Sequence, residues 1–174
     1  MIIYLIILLI GLVFGSFLNV LIHRLPLSIS LVKPVGSACP HCNNGIKWYE
    51  NIPVFSYLAL KGRCSNCSES ISIIYPIVEI ITALVTLTIY LNFLLNWELI
   101  AIIALFYTLI VLSFIDLKYR AVPDYLLIIA VILAIVVGDI ISVLIFTGGL
   151  LLLELIITFY IQNIKAKITG NKEL

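Results

Sequence analysis

The sequence predicts an all-α polytopic membrane protein of about five transmembrane helices, with a cytosolic four-cysteine zinc-type loop between helices 1 and 2. Three observations predict it. Of 174 residues, 63% are hydrophobic and only 11% charged, and the mean hydropathy of +1.25 is far above what a soluble domain requires. The apolar residues gather in runs, several close to the roughly 20 residues a helix needs to cross the hydrocarbon core, that contain no Lys or Arg and at most one acid each. All four cysteines fall, in two pairs, within the one long polar segment. The ten Lys and Arg form no long basic run and the net charge is +1, so nothing points to a nucleic-acid partner.

The first apolar run covers about residues 2–22. No basic n-region precedes Ile2 and the run is longer than a signal h-region, so it reads as a retained helix. The second covers about residues 73–95, the third 99–115, the fourth 125–137 and the fifth 140–161. With 13 residues, the fourth crosses only by borrowing residues 121–123 or where the bilayer thins. Topology supports it. Arg24, Lys33, Lys47, Lys61 and Arg63 lie between runs one and two, Lys118 and Arg120 between three and four, and Lys165, Lys167 and Lys172 after five. The opposite turns, at 96–98 and 138–139, hold acids but no base. The positive-inside rule then puts the N-terminus outside and the cysteine loop and C-terminus in the cytosol.

The polar segment, about residues 24–72, carries Cys39, Cys42, Cys64 and Cys67 as two C-x2-C pairs separated by 21 residues. Two such turns each offer two sulfurs to one point, the pattern of a structural four-cysteine zinc site. In a reducing compartment thiolates are available to metal and disulfides do not persist. Cys39-Pro40-His41-Cys42 taken alone also resembles a thiol-redox motif, but no βαβ pattern surrounds it. His41 reads as a bystander. Zinc here would fold a loop too small to own a core.

Between runs three and four, Asp116 ends one apolar stretch and Asp124 precedes the next, putting both at a bilayer edge. Desolvation and mutual repulsion drive neighbouring carboxyl pKa values apart, which suits one group as acid and the other as base on water. The alternative is a charged turn in which these acids balance Lys118 and Arg120. Pro123 interrupts the helix and fixes the start of the next. Within the spans, Asn19 with Gly11, Gly15 and Ser16 reads as a close-packing face glued by an amide. Glu79, after Pro76, and Glu154 are costly in an apolar span and signal function or a partner on a neighbouring helix.

Four blocks give the chain a family likeness: Gly15-Ser16-Phe17-Leu18-Asn19-Val20 leading to Arg24-Leu25-Pro26; the two cysteine pairs; Glu50-Asn51-Ile52-Pro53 through Ser56-Tyr57-Leu58 to Gly62-Arg63-Cys64; and Tyr75-Pro76-Ile77-Val78-Glu79. With the segment from Asp116 to Pro123-Asp124, the chain resembles the type IV prepilin leader peptidase and N-methyltransferase family over nearly its whole length. The resemblance implies an aspartic-type protease of the bacterial inner membrane. It would remove the leader of a prepilin or pseudopilin, as in type IV pilus and type II secretion systems, then methylate the new N-terminal amine with S-adenosylmethionine. It carries Asp116 over as catalytic, with Asp124 in support, Cys39, Cys42, Cys64 and Cys67 as zinc ligands, and associates methylation with the cysteine loop. Asn19, Arg24 and Glu79 match positions of the N-terminal blocks; no glycine-rich nucleotide loop on a βαβ unit is present.

The expected organisation is a methylation-type region at 1–95 and a partial peptidase region at 96–174. Members of the family carry a second catalytic aspartate in Gly-x-Gly-Asp, a motif this sequence lacks; its Gly138-Asp139 falls on the opposite side from Asp116. The chain is therefore expected to be a partial version of the enzyme. The alternatives are a methyltransferase without protease activity, or a zinc-loop adaptor of a pilus or secretion assembly.

Overall fold

A computed structural model of the chain describes residues 1–31, 37–39, 41–93, 97–120 and 122–138. The chain divides into two compact units, residues 1–133 and 134–174. Five α-helices are described: α1 (Ile2–Arg24), α2 (Phe55–Ala59), α3 (Ile74–Asn92), α4 (Trp97–Tyr119) and α5 (Asp124–Val137), with a 3-10 turn at Trp48–Asn51. Three stretches, Ile2–Arg24, Ile74–Asn92 and Glu98–Tyr119, are long and apolar enough to cross a membrane. The all-helical membrane class follows, and α5, with 14 residues, is shorter than a full crossing. The expected fifth span, 140–161, and Glu154 lie outside the described residues.

The packing of α1 on α3 rests on two glycines. Built Cβ atoms at Gly11 and Gly15 would lie 2.6 Å from the Cα atoms of Ala83 and Glu79 respectively. Only hydrogen fits there, so the backbones touch, as small residues four apart permit in apolar helix pairs. The register, Gly11 on Ala83 and Gly15 on Glu79, makes the helices antiparallel. One turn further on, the buried Asn19 amide donates to the Tyr75 carbonyl at 3.0 Å. The close-packing face glued by an amide is thus present as read from the sequence.

α4 closes the group. Tyr107 and Thr86 share a hydroxyl hydrogen bond of 2.7 Å, and the Tyr107 ring lies 5.6 Å from that of Phe14. The core gathers Leu18 and Ile22 of α1, Val78 of α3, Val111 and Ile115 of α4, and Leu126 and Ala130 of α5. α4 runs four residues past the apolar stretch, carrying Asp116 inside the helix. It stops at Arg120, whose φ of 51° and N–H bond to the Asp116 carbonyl at 2.8 Å form a left-handed helix end. Pro123 then opens α5: its carbonyl accepts from the N–H groups of Leu126 and Leu127. The end of α1, the start of α3, the end of α4 and the start of α5 consequently lie at one end of the bundle.

Candidate functional site

The cysteine segment is built from one turn used twice. In the first, the Asn43 N–H donates to the Cys39 carbonyl at 2.9 Å and the Cys39 N–H to the Asn44 carbonyl at 3.0 Å; in the second, Ser68 donates to Cys64 at 3.0 Å and Cys64 to Glu69 at 2.9 Å. Antiparallel bridges Ala38–Gly45 and Arg63–Ser70 close the two turns. Every partner is repeated 25 residues on. Asn43 and Ser68 sit at the same place in each, at φ of 55° and 58°, a backbone shape that short polar side chains tolerate.

The turns bring Cys39, Cys42, Cys64 and Cys67 together, all four sulfurs within 4.8 Å of one another. Cys39 and Cys67 are 3.8 Å apart and Cys42 and Cys64 4.0 Å. Four sulfurs each about 2.3 Å from a tetrahedral zinc ion lie about 3.8 Å apart, so the cluster fits that ion and is far too open for disulfides. Hydrogen bonds from the Asn44 backbone and then the Asn66 side chain hold the Cys42 thiol down at about 6. At Cys67 the Glu69 backbone N–H favours the thiolate, but desolvation and the three neighbouring sulfurs prevail and push the thiol up to about 12. His41 is exposed and outside the cluster. Glu50, whose carboxylate accepts from the Lys47 N–H at 3.1 Å and from Ser65, joins the 3-10 turn to the second cysteine turn. These hydrogen bonds hold its carboxyl below the usual range.

Between the cysteine turns and the ends of α1 and α3 lies a cavity of about 600 Å³, whose walls include Ser16, Asn19, His23, Cys39, Glu79 and Lys118. Glu79 is buried, and its Oε2 accepts from the Val54 N–H at 2.7 Å; the Ser16 hydroxyl of α1 also hydrogen-bonds to it. Val54 has φ 62° and ψ −50°, and the Phe55 N–H reaches the Pro53 carbonyl at 2.6 Å. Together these make the rare, strained γ-turn with positive φ. A β-branched residue holds such a shape only where its surroundings over-determine it, and the Glu79 carboxylate is one such constraint. Sequence reasoning flagged Glu79 through the cost of an acid in an apolar span. It missed Val54, for which no residue signal exists.

Asp116 is exposed in the last turn of α4, and Asp124 is exposed as the first residue of α5. They share an end of the bundle with the cavity but are not among its lining residues, whereas Lys118, two residues from Asp116, is.

Residues 9–93 match the family described as the bacterial peptidase A24 N-terminal domain. Proteins named prepilin leader peptidase/N-methyltransferase are similar to this chain. That of Myxococcus xanthus is 45% identical over 113 residues, covering 65% of this chain and 33% of that protein. That of Stutzerimonas stutzeri is 38% identical over 141 residues, with coverages of 68% and 49%, and that of Pseudomonas aeruginosa 38% over 141, with 68% and 48%. The chain thus spans between a third and a half of these relatives' lengths. No solved structure matches it.

Proposed function

Since the chain belongs to the bacterial A24 peptidase family, with the N-terminal domain at residues 9–93, we propose that it acts as a prepilin leader peptidase/N-methyltransferase. Such an enzyme cleaves the leader from prepilin or pseudopilin substrates and methylates the exposed N-terminus. The observation that carries this is the identity of 45% and 38% to proteins of that name. In this reading residues 1–95 form the methylation region and 96–174 part of the peptidase region. The chain sits in the bacterial inner membrane, its N-terminus outside and its cysteine loop in the cytosol, supported by the bias of Lys and Arg to one set of loops. The helix count of about five belongs to the same reading.

Asp116 is the carboxylate that takes a proton from the attacking water, and Asp124 the acid that supports it. Cys39, Cys42, Cys64 and Cys67 hold a structural zinc ion, supported by their spacing of about 4 Å. S-adenosylmethionine, when bound, supplies the methyl group. The chain's part is to hold the peptide amine, and the cavity beneath the cysteine turns is the space available for that. The test is membranes carrying the protein, a prepilin-like substrate and methyl-labelled S-adenosylmethionine, with leader loss and label transfer read by mass spectrometry. Cleavage lost on Asp116→Ala and methylation lost on Cys42→Ser support the reading; both activities absent from the wild-type protein, or both unchanged in the variants, overturn it.

A further inference from the structure

The stretch from Asn51 to Leu60 contains no charged residue; Lys47, Trp48, Tyr49 and Glu50 precede it and Lys61 and Arg63 follow it. Its depth is fixed by one bond. α3 has 19 residues, which at 1.5 Å each is about 28 Å, barely the thickness of the hydrocarbon core, so its whole length is needed to cross. Glu79, five residues in from Ile74, then lies about 7 Å along α3 from that end. Val54, bonded to the Glu79 carboxylate at 2.7 Å, lies within a glutamate side chain's reach of that level, on the side toward the start of α3, the direction in which helical side chains lean. On α1 the same level is Gly15, against the Glu79 Cα, and α1 continues for nine more residues, about 13 Å, before Arg24.

At this level Phe55 and Leu58, one turn apart on one face of α2, are 62% and 66% exposed, with Ile52 exposed beside them. The opposite side of α2 is tied inward, the Tyr57 hydroxyl donating to the Ile71 carbonyl. Over the same depth α3 exposes Ile74, Ile77, Ile80 and Ile81, the faces that a bilayer covers on a spanning helix. Backbone amides can enter a bilayer only when paired within the protein. Here Val54 donates to Glu79, Phe55 to Pro53, Ser56 to Ile52, Leu58 to Val54, Leu60 to Ser56 and Lys61 to Leu58, which pairs most of the stretch and leaves the Ile52 and Tyr57 N–H groups, at its start and in the first turn of α2, without such a bond among the described residues. We propose that residues 52–60 form a re-entrant membrane anchor whose Ile52, Phe55 and Leu58 face is immersed in lipid acyl chains. Trp48, Tyr49, Lys61 and Arg63 ride at the headgroup level, where aromatic and basic residues anchor. The cysteine turns are thereby held against the bilayer. The inference rests on the membrane reading of the chain and is independent of its activity.

The test uses the full chain in phosphatidylcholine vesicles with Trp48 and Trp97 replaced by Phe, and one tryptophan introduced as Phe55→Trp or, separately, Leu58→Trp. Reference positions are Ile77→Trp on α3 and Gly45→Trp, a site open to solvent. Lipids brominated on their acyl chains should quench positions 55 and 58 about as strongly as position 77, and aqueous acrylamide should quench them several-fold less than position 45. Acrylamide quenching equal to that at position 45, without quenching by brominated lipid, overturns the proposal. Protection from both quenchers overturns it too, since the face would then be covered by protein, such as a second copy. Either variant alone suffices if the other fails to fold.

Discussion

The Oε2 atom of Glu79 accepts the backbone N–H of Val54 at 2.7 Å, joining a membrane-spanning helix to a strained turn 25 residues earlier in the chain. Removing the acceptor leaves a backbone donor unpaired in an apolar setting, at a cost of about 1–3 kcal/mol. Glu79→Ala should lower stability by that amount in denaturant unfolding of the micelle-bound protein. Glu79→Gln, whose amide oxygen can still accept, should lose less than half as much.

Gly15 has no room for a methyl group, since its Cβ would come within 2.6 Å of the Glu79 Cα. Gly15→Ala must separate α1 from α3 and should cost about 1–3 kcal/mol. Gly45, with nothing within 4 Å of a built Cβ, is the control. Gly45→Ala should leave the unfolding midpoint within experimental error.

Tyr107→Phe removes the hydroxyl that meets Thr86 at 2.7 Å between α3 and α4. Interhelical hydrogen bonds of this kind contribute about 0.6 kcal/mol in measured membrane proteins. A loss of that order is expected, and a cycle with Thr86→Val should show the two changes to be non-additive.

Zinc binding should depend on pH with a definite sign. Cys42, held near 6, is already largely thiolate at neutral pH, whereas Cys67, pushed up to about 12, carries a proton that an ion must displace. Apparent affinity should therefore rise with pH, roughly tenfold per unit for each proton displaced. Competition with a chromophoric chelator at several pH values measures this, and metal analysis should give one zinc per chain, lost in Cys64→Ser.

Asp116→Ala should lower leader cleavage by about 10²–10⁴-fold, the usual contribution of a positioned acid or base. Asp124→Ala, in a supporting role, should lower it less. Leader removal followed by mass spectrometry in membranes separates the two.

Three of the expected spans were legible because each is a long apolar run bounded by polar residues, and α1 and α3 begin and end within a few residues of those bounds. α4 was read short. Its apolar run stops before Asp116, but charged side chains do not end a helix; the left-handed Arg120 does. The cysteine cluster was legible from spacing, since two sulfurs three residues apart already share a turn. Glu79 was marked by its cost, and Ser16 on α1 is the partner from a neighbouring helix that this cost implied. Its second partner, a main-chain N–H, has no residue signature, and a β-branched Val54 at positive φ runs against every local preference. The cavity was not legible either, because its walls come from α1, α3, α4 and the cysteine segment at once.

The two cysteine turns are each closed by their own backbone bonds, so neither depends on the other for its shape. The segment therefore behaves as a bivalent chelator made of two preformed claws on a tether. Once one claw holds an ion, the second meets it at the effective concentration set by the intervening 21 residues, of millimolar order, and no longer at that of the bulk solution. Damage to one claw should then weaken retention far more than capture, leaving an ion that still arrives but soon departs.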